Sequence, residues 1–502
     1  MNNRRAILIG VALFGALAFV ALYPACLVGR LSVLHIVALI GALVGASAFA
    51  RLRSIPLWFR LLAFTILFLP SALEFLYAVR FGMGWDQSAL HAVLQSNVTE
   101  GMSFVCEFYS FRHVLLFVAC LAVPPAFLWW AGKTKVWNRA AKPVFACLLP
   151  AFLLLPSTQG VLAGYLAYRA ELANWKRELE KRRLGPLEAE TPWRDEAYLV
   201  VIGESASRRH WSLYGYDRNT TPEMEAIPDL RVFRDVVSTH SHTSPALIKA
   251  LTASLVSDSD TYASPGILDL ANAAGFTTYW LSNQQRMGPW DNPVSILAEA
   301  AKHKSFLNYG FGKSLRSSGY DEALLPAVAE ALAAPGSRKL IVLHLMGSHF
   351  PYSARYPPGY AKFSGAGKAI DAYDNSIAYV DHLLGRLFRM AERAGVDGVV
   401  YFSDHGEDVP SGLAHNSSRM TKAMVEIPLV VRTSKRYRER YPETAEQIRR
   451  GTDKPLSGDY IFHLLVHLMQ FRTPVYPNPL AMDFVLPPRR VRNGELSYEE
   501  LE

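Results

Sequence analysis

The sequence predicts two structural classes in one chain: a membrane region of five apolar helices, then an α/β domain whose mostly parallel sheet carries helices on both faces. Three observations predict this division. Apolar residues, 50% of the 502, gather in five long runs before Tyr168. Beyond Glu196, short continuous apolar stretches alternate with segments of helical periodicity, and Glu, Asp, His and Asn recur directly after those stretches.

The five runs are Ala6 to Val28, Leu31 to Ala50, Leu57 to Val79, His113 to Gly132 and Pro143 to Tyr168. Each is near the ~20 residues that a spanning helix needs. The first is longer than the apolar core of a cleaved signal, no A-x-A site closes it, and Tyr23 and Pro24 make a poor lipobox before Cys26, so it reads as a retained span. Arg4, Arg5, Arg51, Arg53, Arg60, Lys133, Lys135, Arg139 and Lys142 fall on one side of the runs, against Arg30, Arg80 and Arg112 in the short loops of the other. Because basic residues are retained on the cytoplasmic side, the N-terminus is expected inside and everything after the fifth run outside. In a bacterium that means a multi-pass inner-membrane protein with a periplasmic domain.

The expected organisation is a transmembrane domain over 1–168 with an outer loop at 80–112, a juxtamembrane linker helix over 169–195, and a catalytic domain over 196–502. The segment from Arg169 to Arg183 holds six basic and three acidic residues around Trp175, which suits either a solvated linker helix or a helix on anionic headgroups. Much of the net charge of +8 is spent there and in the membrane loops, so it does not argue for nucleic acid. Cys26, Cys106, Cys120 and Cys147 all precede the soluble domain, where no disulfide is expected.

Strands are expected at Tyr198 to Gly203, Val232 to Val237, Thr277 to Ser282, Leu340 to Leu345, Val399 to Ser403 and Pro428 to Arg432. Helices are expected at Pro245 to Ser254, Ile267 to Ala274, Glu322 to Ala333, Ile370 to Ala391 and Ser457 to Met469. In open α/β sheets ligands bind beyond the carboxyl ends of the strands. Glu204, Asn283 with Gln284, His344 with His349, and Asp404 with His405 all fall at such ends, which reads as a metal site.

Asp404, His405, Gly406 and Glu407 follow one apolar strand directly. A carboxylate beside an imidazole can hold a borderline cation such as zinc, although Asp-His-Gly alone also suits an Asx-turn. Glu204 adds a third ligand at the end of an apolar strand, where an unpaired charge would be costly. Thr243 precedes a helix beginning near Pro245; it reads either as a helix N-cap or as a nucleophile in the open metal position, with a phosphate on the helix N-terminus. His344 is expected to orient its neighbours.

Taken in order, IGES around Glu204, DRNTTP, HTSPAL around Thr243, LSNQQ, HLMGSH, YDNSI and SDHGE, after five apolar runs, resemble the phosphoethanolamine transferases of the alkaline phosphatase and sulfatase superfamily. LQSNVTEGMSF before the fourth run resembles that family's N-x-x-E segment, here Asn97 and Glu100. The resemblance implies a sulfatase-like fold and one zinc, or two, with Glu204, Thr243, Asp404 and His405 as ligands of the first. It implies contacts from His349 and His415 to the phosphoryl group or a second zinc, and a substrate-contacting region at Asn283 and Gln284. Glu407 is a ligand or stands behind one. Asn97 and Glu100 contact a lipid headgroup or cap an interfacial helix.

The implied reaction moves phosphoethanolamine from phosphatidylethanolamine through a threonine-bound intermediate to a lipopolysaccharide acceptor: a core sugar, Kdo or lipid A. A soluble domain without cysteine places the chain nearer the core- and Kdo-modifying members than the lipid A ones. A phosphoglycerol transferase using phosphatidylglycerol, or a glucan-modifying enzyme, would share the site. A sulfatase would not, because its C-x-P-x-R motif is replaced by Thr243-Ser244-Pro245-Ala246-Leu247. Oligomeric state is left open.

Overall fold

The computed structural model describes residues 3–52, 54–85, 90, 93, 98–133, 148–184, 187–256, 264–286, 293–309, 319–473, 490–491 and 496–501. They form two compact units, Met1–Ala170 and Glu171–Glu502.

In the first unit, Ile7–Leu27, Leu57–Phe81 and Phe111–Lys133 are helical stretches long and apolar enough to cross a membrane. Val33–Phe49 is equally apolar but shorter, at 17 residues, and Ser32 caps it by accepting from the His35 amide. The fifth apolar run is carried by two helices, Leu148–Leu153 and Pro156–Leu184, with its first residues, 143–147, outside the described set. Pro156 lacks the N–H that would extend the preceding helix and is pre-set for the first turn of the next. That second helix also takes in the basic segment from Arg169 to Arg183.

Leu17, Ala42, Ala46, Phe64, Phe68, Phe152 and Leu155 pack these helices together, while Ile7, Leu8, Val33, Trp58 and Phe111 point outward. An apolar exterior around closed helical hydrogen bonding is what a lipid solvent selects. At one end of the unit Arg51 donates to the Ala131 carbonyl at 3.0 Å and Arg60 to the Ala50 carbonyl, satisfying the last carbonyls of two helices. At the end of Leu57–Phe81, Arg80 Nε donates to Phe108 O at 2.7 Å. Asn97 lies outside the described residues; Glu100 falls in the helix Val98–Phe108, with its side chain outside the described set.

The second unit is built on a sheet of strands β1 (Ala197–Gly203), β2 (Arg231–Phe233), β4 (Thr277–Arg286), β5 (His303–Tyr309), β6 (Lys339–His344), β7 (Gly398–Ser403) and β8 (Leu429–Thr433), in the order β2-β8-β7-β1-β6-β4-β5. β1 is central and pairs in parallel with β6 and β7; β4 is parallel to β5 and β6, while β8 runs antiparallel to β7 and β2. Tyr198, Val200 and Ile202 face one core layer with Leu247, Leu270 and Leu464, and the alternating Leu199 and Val201 are just as buried on the other face. Burial on both faces is why β1 reads as an unbroken apolar run.

The expected strand Val232 to Val237 is two strands. Arg231–Phe233 joins the main sheet, whereas β3 (Val236–Val237) pairs with β9 (Leu456–Ser457) in a separate ladder. Arg234 and Asp235 between them break the apolar run, and the Arg234 amide donates to the Thr452 carbonyl. Edge strand β5, HKSFLNY, was not expected because its polar residues interrupt any apolar stretch. The helix Lys368–Arg393 buries Tyr373, Ile377, Val380, Leu384, Leu387 and Ala391 on the face that periodicity marked.

Candidate active site

Parallel strands deliver their following residues to one rim. Glu204 follows β1, Asp404 and His405 follow β7, and β4 carries Asn283 and Gln284 near its end. Glu204, Asp404 and His405 are almost fully buried, and each offers a ligand atom within 4.8 Å of the others. His405 Nε2 lies 3.3 Å from Glu204 Oε1 and 3.4 Å from Asp404 Oδ2. His405 Nδ1 sits 2.8 Å from the Gly406 carbonyl, so this nitrogen carries the proton and Nε2 is left to coordinate.

Thr243 is the first residue of the helix Thr243–Leu251, two residues earlier than expected, and His242 occupies the cap position. Its Oγ1 donates toward Glu204 at 3.3 Å from Oε1 and 3.2 Å from Oε2. The N-cap role that the sequence left open is therefore not what this hydroxyl performs.

Neighbouring groups hold this geometry. Ser205 takes φ of 56°, an uncommon backbone state for a residue with a Cβ, and its amide thereby donates to Asp404 Oδ1 at 3.0 Å. Tyr373 accepts from the Ser207 amide and donates to the Ser205 carbonyl, pinning that turn from the long helix. Gly406 is required less for a turn than for close approach, since a Cβ there would stand 2.3 Å from the Ala423 carbonyl.

At β4 the pairing with β5 slips between Ser282 and Gln285. Such a bulge re-aims side chains. Gln284 Nε2 donates to Glu204 Oε2 at 3.1 Å and to the Leu345 carbonyl at 2.8 Å, so it orients a candidate ligand. Asn283 differs from its expected substrate-contacting place: it is 1% exposed, and its amide is committed to Asp321 Oδ1 at 2.8 Å and the Gly319 carbonyl. Asp321 in turn receives the Met346 and Gly347 amides, fixing the turn that leads to His349.

A second trio shares His405. Ligand atoms of His405, Glu407 and His415 also lie within 4.8 Å of one another. Glu407 is buried, accepting from Tyr352 Oη at 2.6 Å and meeting His415 Nδ1 at 2.8 Å. His349 Nδ1 lies 2.6 Å from the Phe350 carbonyl, which frees its other nitrogen. His344 is buried against Trp280, with Nε2 making no hydrogen bond, and burial pulls its pKa down to about 4.

Sequence reasoning assigned no part to His240 and His242. The His242 ring lies 5.3 Å from His240 and 5.3 Å from His415, and burial with these neighbours holds it well below the usual imidazole range. The signal was present in THSHT, where the two histidines alternate with Ser241 just ahead of Thr243.

The electrostatics call for a cation. Burial pushes Asp404 up to about 8, reinforced by the charge of Glu204. Burial would raise Glu204 as well, but the hydrogen bond and charge of His405 outweigh it and hold that carboxyl low. His405 is carried up to about 10 against its own burial by Asp404 and Glu204. Two buried carboxylates thus face one imidazole at short range, and among the described residues Asp404 Oδ2 is buried without a hydrogen-bond partner. Oxygen and nitrogen donors at this spacing, with a hydroxyl beside them, fit a four-coordinate zinc.

Residues 196–471 match the Sulfatase family model. The chain belongs to the sulfatase family. Its relatives include phosphoethanolamine transferases. It is 29% identical to phosphoethanolamine transferase EptC of Escherichia coli K12 over 442 residues, 76% of this chain and 75% of the relative. To phosphoethanolamine transferase CptA of Salmonella typhimurium it is 27% identical, over 79% and 77% of the two chains. The crystal structure of the C-terminal periplasmic domain of E. coli EptC in complex with Zn is similar at TM-score 0.58 and 28% identity, covering 63% of this chain and 97% of that domain. The integral membrane lipooligosaccharide phosphoethanolamine transferase A of Neisseria meningitidis shares the fold over 91% of this chain and 96% of its own, with TM-score 0.64 and 20% identity.

Proposed function

We propose that the protein transfers phosphoethanolamine from phosphatidylethanolamine to a lipopolysaccharide acceptor, a core sugar, Kdo or lipid A, through a phosphoethanolamine-threonine intermediate. The observation that carries this reading is the hydroxyl of Thr243, 3.2 Å from a buried carboxylate of a donor set that fits zinc. Zinc would be held by Glu204, Asp404, His405 and Thr243, and when bound it lowers the pKa of a hydroxyl ligand and offsets charge on phosphoryl oxygens.

Thr243 Oγ1 attacks phosphorus in line, the bond from phosphorus to the diacylglycerol oxygen breaks, and diacylglycerol leaves. The proton given up by Thr243 ends on that departing oxygen, and His349 contacts the phosphoryl group or a second zinc. An acceptor oxygen then attacks the same phosphorus, the bond to Oγ1 breaks, and the acceptor's proton restores the threonine. His415 and Glu407, with His405, bind phosphoryl oxygens or a second zinc. Gln284 steadies Glu204, while Asn97 and Glu100 meet the lipid headgroup.

The relatives named phosphoethanolamine transferases and the zinc complex of one of them support this reading. The family name describes the fold, and a fold does not dictate the chemistry. Thr243 stands where a sulfatase needs cysteine, so sulfate-ester hydrolysis is excluded from the proposal. The N-terminus lies in the cytoplasm and the catalytic domain in the periplasm, a reading supported by the loop charges and by the periplasmic domain of EptC.

The test is the intact mass of the zinc-loaded protein after incubation with phosphatidylethanolamine, beside Thr243→Ala. One phosphoethanolamine adduct, absent from the variant, is expected. An adduct formed only from phosphatidylglycerol would make it a phosphoglycerol transferase, and no adduct or diacylglycerol from either lipid would refute the threonine mechanism.

A further inference from the structure

Within the membrane unit, the helix Leu57–Phe81 carries a glutamate, Glu74, that the reaction above does not use. Only 7% of it is exposed. Among the described residues, its Oε1 accepts from the Trp85 amide at 3.1 Å and its Oε2 has no hydrogen-bond donor in place. Ser71 lies one turn earlier on the same face, fully buried, with its hydroxyl also unpartnered. Ser157 of the helix Pro156–Leu184 stands beside the carboxylate, 1% exposed, where its hydroxyl can donate to Glu74 and keeps its own lone pairs free to accept. Gly84 closes the cluster: a Cβ there would stand 3.0 Å from Glu74 Oε1 and 3.5 Å from the Pro24 carbonyl.

An acidic side chain inside a spanning helix is expensive, and it persists where it meets a cation or a polar ligand. Arg30, the basic residue whose charge reaches Glu74, is itself exposed. The Glu74 carboxylate and the Ser157 hydroxyl beside it therefore offer buried acceptor oxygens, with the Ser71 hydroxyl one turn earlier on the same helix face. This suits a ligand with several N–H donors and a positive charge, and it excludes an anion. Pro24 and Trp85 place the cluster near the ends of Ile7–Leu27 and Leu57–Phe81 that share one side of the unit.

The geometry points to Glu74, with Ser71 and Ser157, as a binding site for the primary ammonium of a phospholipid headgroup. The inference rests on the proposed donor, because an ethanolamine lipid carries that group and phosphatidylglycerol does not.

The test uses full-length protein in nanodiscs in the Thr243→Ala background, so that bound lipid is not consumed, with lipid retention read by native mass spectrometry. Glu74→Gln is expected to lower retention of phosphatidylethanolamine about tenfold or more, the loss of one charge-assisted contact, and to leave phosphatidylglycerol unchanged. With Thr243 intact, the same variant is expected to raise KM for phosphatidylethanolamine while kcat is held. N-acetyl phosphatidylethanolamine, which lacks the charge, should bind the parent protein about tenfold more weakly, a comparison independent of any variant's folding. Equal retention of the charged and acetylated lipids, or an unchanged KM in Glu74→Gln, overturns the site while leaving the donor reading intact. Failure of the wild-type protein to consume phosphatidylethanolamine overturns the donor reading instead.

Discussion

Thr243 and Glu204 are 39 residues apart in sequence, yet the threonine hydroxyl donates to both carboxylate oxygens, at 3.3 and 3.2 Å. A helix start and a strand end have been brought together around one oxygen. Thr243→Ala removes that oxygen and leaves the buried ligands in place, so transfer is expected to fall on the order of 10⁴-fold or more while zinc is retained. Thr243→Ser keeps the hydroxyl and should retain measurable turnover. Diacylglycerol release and metal content, measured together, check both.

Gln284 Nε2 joins Glu204 to the Leu345 carbonyl. Gln284→Leu removes both bonds with little change of volume, and groups that orient a ligand are typically worth about 10–100-fold in metal affinity. Competition with a chelator should show a loss of that size, with the melting temperature nearly held. Unchanged zinc affinity would mean that Glu204 needs no such support.

His344 couples stability to acid. Its pKa is about 4 in the fold against an ordinary 6.5, because burial penalises the charged ring. Between those values the unfolded chain binds the extra proton. The stability is fully present above pH 6.5 and is lost as pH falls toward 4, by about 3 kcal/mol for the full shift. His344→Gln should flatten the dependence of melting temperature on pH over that window, and an equally steep curve would assign the effect elsewhere.

Gly347 takes φ of +49°, and a Cβ there would lie 2.7 Å from the Glu204 amide nitrogen. Gly347→Ala must displace the turn between β6 and His349 or push back the strand end that carries Glu204. Activity should drop more than stability, since the displaced atoms are those of the site. Circular dichroism with turnover measurements separates the two.

Much of this was legible before the structure. Continuous apolar stretches announced β1, β6 and β7, because a strand covered on both faces has no polar side, and the residues ending them could be placed on one rim. The long amphipathic helix was legible for the complementary reason, having one wet face. Strand β5 was not, since an edge strand tolerates Lys304, Ser305 and Asn308, and nothing in its pattern distinguishes it from a loop. The opposite duties of Asn283 and Gln284 depend on a bulge, and a slip of register leaves no mark in composition. His240 and His242 were passed over because their partner, His415, is more than 170 residues further along the chain.

The central position of β1 has a consequence for biogenesis. Its neighbours β6 and β7 begin at Lys339 and Gly398, so the carboxylate of Glu204 meets Asp404 and His405 only after some two hundred further residues have been synthesised and the strands paired across the sheet. Contacts so distant in sequence form slowly. A nascent chain therefore cannot assemble the candidate ligand set early, and any metal held by Glu204, Asp404 and His405 would be captured only after β1 and β7 have paired, late in folding.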